Sequence, residues 1–190
     1  MKIPQFHRLF IALMGSAALT VSAQEFNLKA PIATKPAFLT SVGQSTDVEM
    51  VKVLMDRAGI PYKADVKAKG EELAASGANA LVLALGGSAK GLGAAGISAE
   101  VELERARAVI AEAKKRGMKI IGLHVGGEAR RGELSDKFVT AAVPLCDYVI
   151  VVAEGNKDNF FNKLCGAKIT LDSVDKITKV GEALAKAFFK

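Results

Sequence analysis

Hydrophobic positions along this chain switch repeatedly between a period of two, unbroken apolar runs and a period of three to four, and each switch marks an element. Residues 80–85 (Ala-Leu-Val-Leu-Ala-Leu) and 148–153 (Tyr-Val-Ile-Val-Val-Ala) are continuous apolar runs, the pattern of parallel strands covered on both faces. Residues 37–42 and 119–125 read as two more strands, with weaker ones at 62–66 and 168–171. Helical spacing fills the intervals. Val48, Val51, Leu54, Met55 and Ala58 recur on one face of a helix over 46–58, which Gly59 ends and Pro61 forbids to continue. Ser98 caps a long helix whose apolar face is Leu103, Ala106, Ile110 and Ala113. Its acids (Glu100, Glu102, Glu104) come first and its bases (Lys114, Lys115, Arg116) last, complementing the helix dipole before Gly117 stops it. Shorter helices are expected at 71–75, 134–143 and 159–164, and an amphipathic last one at 174–188.

Strand and helix alternating at this spacing predict an α/β three-layer sandwich around a mostly parallel sheet of five to six strands. Four Gly-rich polar loops follow the first, third, fourth and fifth strands, whereas the loop after the second (67–70) is plain. The flavodoxin-like order 2-1-3-4-5 makes those four strands neighbours and leaves the second at the edge, so it is the order expected. All four loops then open at the carboxyl edge of the sheet, where α/β proteins bind ligands.

The first residues are read apart from the fold. Lys2, His7 and Arg8 precede an apolar stretch over 9–21, and Val21-Ser22-Ala23 offers a small-residue cleavage site, the layout of a secretory signal peptide. The stretch is shorter than the ~20 residues a membrane span requires. The organisation expected is a signal peptide at 1–23, an extended leader with Pro31 and Pro36 at 24–36, and one α/β domain at 37–190. The protein is then periplasmic or secreted, with no stable membrane insertion after cleavage. Loss of Lys2 and Arg8 lowers the net charge from +6 to +4. With its lysines dispersed and no Trp, the chain has no nucleic-acid signature. In an oxidising compartment Cys146 and Cys165 form either one disulfide or two buried free thiols. Nothing implies a cofactor or a metal site.

Candidate site residues come from the loops. Ser41, Gln44, Ser45, Gly87, Ser88 and Lys90 supply hydroxyl, amide, backbone and ammonium contacts. In the segment after the fourth strand, Gly126 and Gly127 permit close backbone approach, while Arg130 and Arg131 suit bidentate recognition of carboxylate or phosphate. Glu128 pairs with one of these arginines in that reading. His124 is either a proton carrier or a packed histidine. Glu154 and Asn156 hold a ligand hydroxyl or amine, or form a turn. The G-x-G-x-x-G at 91–96 starts too far past its strand and lacks the acidic residue of a dinucleotide site, so it reads as a flexible flap before the next helix.

The four loops, Thr40-Ser41-Val42-Gly43-Gln44-Ser45, Gly86 to Ile97, His124 to Gly132 and Glu154-Gly155-Asn156-Lys157-Asp158, resemble those of a family of small exported bacterial α/β proteins known only as a domain of unknown function. The resemblance implies export, a single α/β domain and no assigned activity. The function expected is an exported binding protein for a small polar, anionic ligand at the carboxyl edge of the sheet. The alternatives are a hydrolase or isomerase using His124 and Glu128 at the same place, and a protein-interaction module of an envelope transporter complex. No G-x-S-x-G nucleophile elbow supports hydrolysis.

Overall fold

Six parallel strands and seven helices make up the fold in a computed structural model, which describes residues 25–189. The expected signal peptide lies outside the described residues. In chain order the elements are β1 (Ala37–Val42), α1 (Asp47–Arg57), β2 (Tyr62–Ala64), α2 (Gly70–Ala75), β3 (Ala80–Leu85), α3 (Ala89–Ala95), α4 (Ala99–Lys115), β4 (Lys119–His124), α5 (Glu133–Ala142), β5 (Tyr148–Val152), α6 (Phe160–Cys165), β6 (Thr170–Val174) and α7 (Ile177–Ala187).

The sheet order is β2-β1-β3-β4-β5-β6, the flavodoxin-like order expected, with one more strand at the far edge. Chirality explains how the helices are shared between faces. The β1-to-β2 crossover runs opposite to the one from β3 to β4, so right-handed connections must put their helices on opposite sides. Accordingly α1 and α7 cover one face through Val51, Leu54, Val180 and Leu184, and α2 to α6 cover the other through Leu73, Leu92, Ile110, Phe138 and Phe161. β3 serves both layers: Leu81, Leu83 and Leu85 face α4 and α5, while Ala80, Val82 and Ala84 face α1.

Two differences from the sequence reading have clear causes. The 91–96 segment is not a flap, because α3 passes through it, capped by the Ser88 side chain on the Gly91 N–H and closed by Gly96 at φ 69°. The last strand lies two to three residues later than expected, since Asp172 is an inward-facing member of it, buried beneath Tyr148 and the leader. The leader itself lies along β6 and α7. The Asn27 backbone N–H donates to Asp172 at 2.7 Å, and Ile32 and Ala33 donate to the carbonyl of Ala187. Cys146 and Cys165 are both buried free thiols of the same core layer, so the disulfide reading has no counterpart here. Burial pushes the Cys146 thiol upward, and that of Cys165 to about 11.

Candidate functional site

The order of the sheet puts its reversal between β1 and β3, the place where open α/β sheets leave a crevice at their carboxyl edge. Here the crevice is closed by backbone. Gly86 N–H donates to the Val42 carbonyl, Ser88 N–H donates to the Gly43 carbonyl at 2.9 Å, and Gln44 bridges Gly87. Gly91 is needed for this closure: a Cβ there would lie 1.9 Å from the Gln44 carbonyl oxygen. The glycines after β1 and β3 are therefore used for loop-on-loop packing, and Ser88 for capping α3.

Beneath this junction sits a buried ion pair where the charge order of α4 predicts only dipole complementation. Glu102 of α4 is fully buried. One carboxylate oxygen accepts from the Gly43 N–H at 2.9 Å, the other from the Gln44 side-chain amide at 3.0 Å, and Arg105 donates to both. Arg105 also donates to the Thr40 hydroxyl and to the carbonyls of Ser41 and Ala68. All five guanidinium N–H donors are thereby engaged, and the pair joins α4, the end of β1 and the β2–α2 connection. The signal available in the sequence was position: Glu102 shares a helix face with Ala106, Val109 and Ala113, all buried.

The loops after β4 and β5 close on each other as well. Arg131 makes a two-point contact with Asp136 and another with Asp158, and donates to the Gly155 carbonyl. Its guanidinium lies 4.2 Å from the Phe160 ring centroid. With all five donors used, Arg131 has none for an anionic ligand, which corrects its expected role. Its own pKa is raised, first by the Asp136 hydrogen bond, and the hydrogen bond from Arg131 holds the Asp158 carboxyl down at about 2. Arg130 pairs with Asp47 of α1 at 3.2 Å and donates to the Thr46 hydroxyl. Gly126 makes room for this pairing, since a Cβ there would lie 2.6 Å from Asp47 Oδ2.

Glu128 pairs with Lys157 at 2.6 Å and not with an arginine, and that hydrogen bond lowers its pKa. The Gly127 carbonyl faces the His124 ring, and Glu154 lies beside Gly127, exposed. His124 is wholly buried, with Nδ1 3.0 Å from the Leu85 carbonyl and Nε2 3.2 Å from that of Gly127. Its ring packs on Phe161. His124 is thus the packed histidine of the two readings, and no acid–base pair with Glu128 forms. Asn156 holds the start of α6, accepting from the Phe161 N–H and donating to Asn162.

Open space lies beside these locked loops. A hollow of about 280 Å³ is bounded by Gln44, Ser45 and Thr46, by Val66 and Lys67, and by Gly91, Ala94 and Ala95. A groove of about 700 Å³ continues from Lys67 down the flank of α4 past Ile97, Val101, Arg105 and Ala108. The plain loop after β2 therefore lines both. Of the expected ligand residues, Gln44 and Ser45 reach the smaller hollow, but the Gln44 side-chain amide already donates to the Val66 carbonyl at 2.8 Å and to Glu102 at 3.0 Å. Ser41 does not reach it: it is buried, its Oγ lacks a hydrogen-bond partner among the described residues, and its backbone carbonyl serves Arg105. Lys90 projects from α3 as an exposed ammonium without an ion pair among the described residues and lines neither space. Among the described residues no group of three or more His, Cys, Asp or Glu could hold a metal ion. No described helix is long and apolar enough to cross a membrane.

The model of the family described as Domain of unknown function (DUF6305) matches residues 34–188, and the chain belongs to that family. The resemblance carried by the four loops is thereby borne out. No curated protein matches the chain. Among solved structures, the last common ancestor of HMPPK and PLK/HMPPK vitamin kinases aligns over 82% of this chain and 74% of its own, with 12% identity and a TM-score of 0.39. A likeness of that degree carries no argument about this chain.

Proposed function

We propose that this member of the DUF6305 family is an exported binding protein for a small, polar, anionic ligand, seated at the carboxyl edge of the sheet in the hollow beside β1. The observation that carries the reading is that hollow itself: about 280 Å³ next to the strand reversal, offering the Ser45 and Thr46 hydroxyls and the ammonium of Lys67, while the Glu49 carboxylate on its wall is paired with Lys52 at 2.7 Å. Among the described residues Lys67 is exposed and forms no ion pair, unlike Arg130 and Arg131. A cation whose charge is not already compensated retains its full attraction for an anion. Export is supported by the basic, apolar and small-residue order of the first 23 residues.

The seat favours binding over turnover, because His124 and Glu128 are each committed to other partners. Native mass spectrometry of the protein purified from its own envelope fraction, followed by titration with the retained species or a panel of small anions, tests the reading. A Lys67→Glu variant is expected to weaken binding at least about tenfold, that is by about 1.4 kcal/mol. An Arg131→Ala variant is expected to lower stability first. Undiminished affinity in Lys67→Glu would remove the anion from the reading.

A further inference from the structure

The geometry points to an amphipathic monoanion, a carboxylate carrying an uncharged apolar tail, as the occupant of the groove along α4. This goes beyond the proposed function, because the groove is a second space next to the hollow, and it rests on the assignment of Lys67 as the anion contact. The groove's volume of about 700 Å³ falls within the range of small-molecule sites, about 300–1,000 Å³, whereas the hollow beside β1 has less than half of it.

The groove's chemistry changes along its length. Lys67 belongs to both spaces and stands where they meet. From there Ile97, just ahead of α4, and then Val101 and Ala108 on α4 itself form one apolar strip, at spacings of four and seven. Val101 is half exposed at 50%, so this strip is apolar surface left uncovered by the fold. Arg105 closes the floor between Val101 and Ala108, but its donors are all used within the protein. It presents the stem and flat face of its side chain in place of a free charge.

The acidic side chains set the other limit. Glu112 is neutralised by Lys115 and Arg116 at 3.8 and 3.9 Å. Glu71 and Glu104, both on the groove wall, have no ion pair among the described residues and repel a second negative group placed there, while Lys69 adds a second cation two residues from Lys67. One anionic head at Lys67 and an uncharged tail along the strip satisfy all of these features. A dicarboxylate of the same length does not.

Calorimetric titration of the purified protein with decanoate, 1-decanol and decanedioate, and separately with inorganic phosphate, is the experiment. Decanoate is expected to bind, with the alcohol and the diacid at least about tenfold weaker. Val101→Asp places a charge in the strip at an exposed position where folding is unaffected, and Lys67→Glu removes the head contact. Each is expected to weaken decanoate at least about tenfold while the thermal melting profile stays unchanged. Absence of decanoate binding, or equal binding by Val101→Asp, overturns the inference. Phosphate binding that is lost in Lys67→Glu but kept in Val101→Asp, with no decanoate binding, would leave the anion-binding reading standing and the apolar tail rejected. If none of the probes binds and no small molecule is retained from the envelope, both fall.

Discussion

Individual residues show how a loop that looks built for ligands can be spent on structure. Arg105 and Arg131 each use all five N–H donors inside the protein, yet only Arg131 stood out in the sequence, because it sits in a Gly-rich loop. Arg105 was hidden in a helix of ordinary charge pattern. What distinguishes it is burial, with a side-chain exposure of 9% against 0% for its partner Glu102. Replacing Arg105 by Met leaves the Glu102 carboxylate buried without its counter-charge, which costs about 3–5 kcal/mol. Urea unfolding measures this, and a loss below about 1 kcal/mol would mean that the pair is as dispensable as an exposed one. Arg105→Lys is expected to rescue little, because an ammonium cannot reproduce the planar fork that meets both carboxylate oxygens.

Among the elements, the strands and long helices were legible and the connections were not. β1 and β3 fall where their apolar runs predict, and α4 lies between its Ser98 cap and the Gly117 stop. α3 escaped because Gly91 and Gly93 in Ala89–Ala95 argue locally against helix, while contact with the β1–α1 turn decides otherwise. The two glycines differ in what surrounds them, and that difference is measurable. A Cβ added at Gly93 would have nothing within 4 Å, so Gly93→Ala is expected to stabilise by about 0.5–1 kcal/mol. Gly91→Ala meets the Gln44 carbonyl and is expected to destabilise by about 1–3 kcal/mol or more. Denaturant midpoints of the two variants should move in opposite directions, and a shared direction would refute the packing role of Gly91.

At the scale of the whole molecule, the carboxyl edge is held shut by contacts between loops distant in sequence, and one of them responds to acid. The Asp158 carboxyl is held at about 2, below its ordinary 3.8, chiefly by its hydrogen bond with Arg131. A depressed folded-state pKa contributes stability above the unfolded value, and that contribution is lost as pH falls through the folded one. Its tie to Arg131 should therefore persist at pH 4 and disappear towards pH 2. The Asp158 carboxyl resonance followed by NMR should titrate near 2, and a midpoint close to 4 would contradict the contact. Asp158→Asn should lose the part of the acid sensitivity that this carboxylate supplies. By itself the sequence determined the α/β class, the strand order and the family, because apolar periodicity and turn residues are properties of short segments. Only the tertiary structure decided which polar groups are free. Whether a guanidinium or an imidazole can meet a ligand depends on the partners that folding brings to it, and here Arg131 and His124 are taken while Lys67, in the plainest of the loops, has no ion pair among the described residues and lines the hollow.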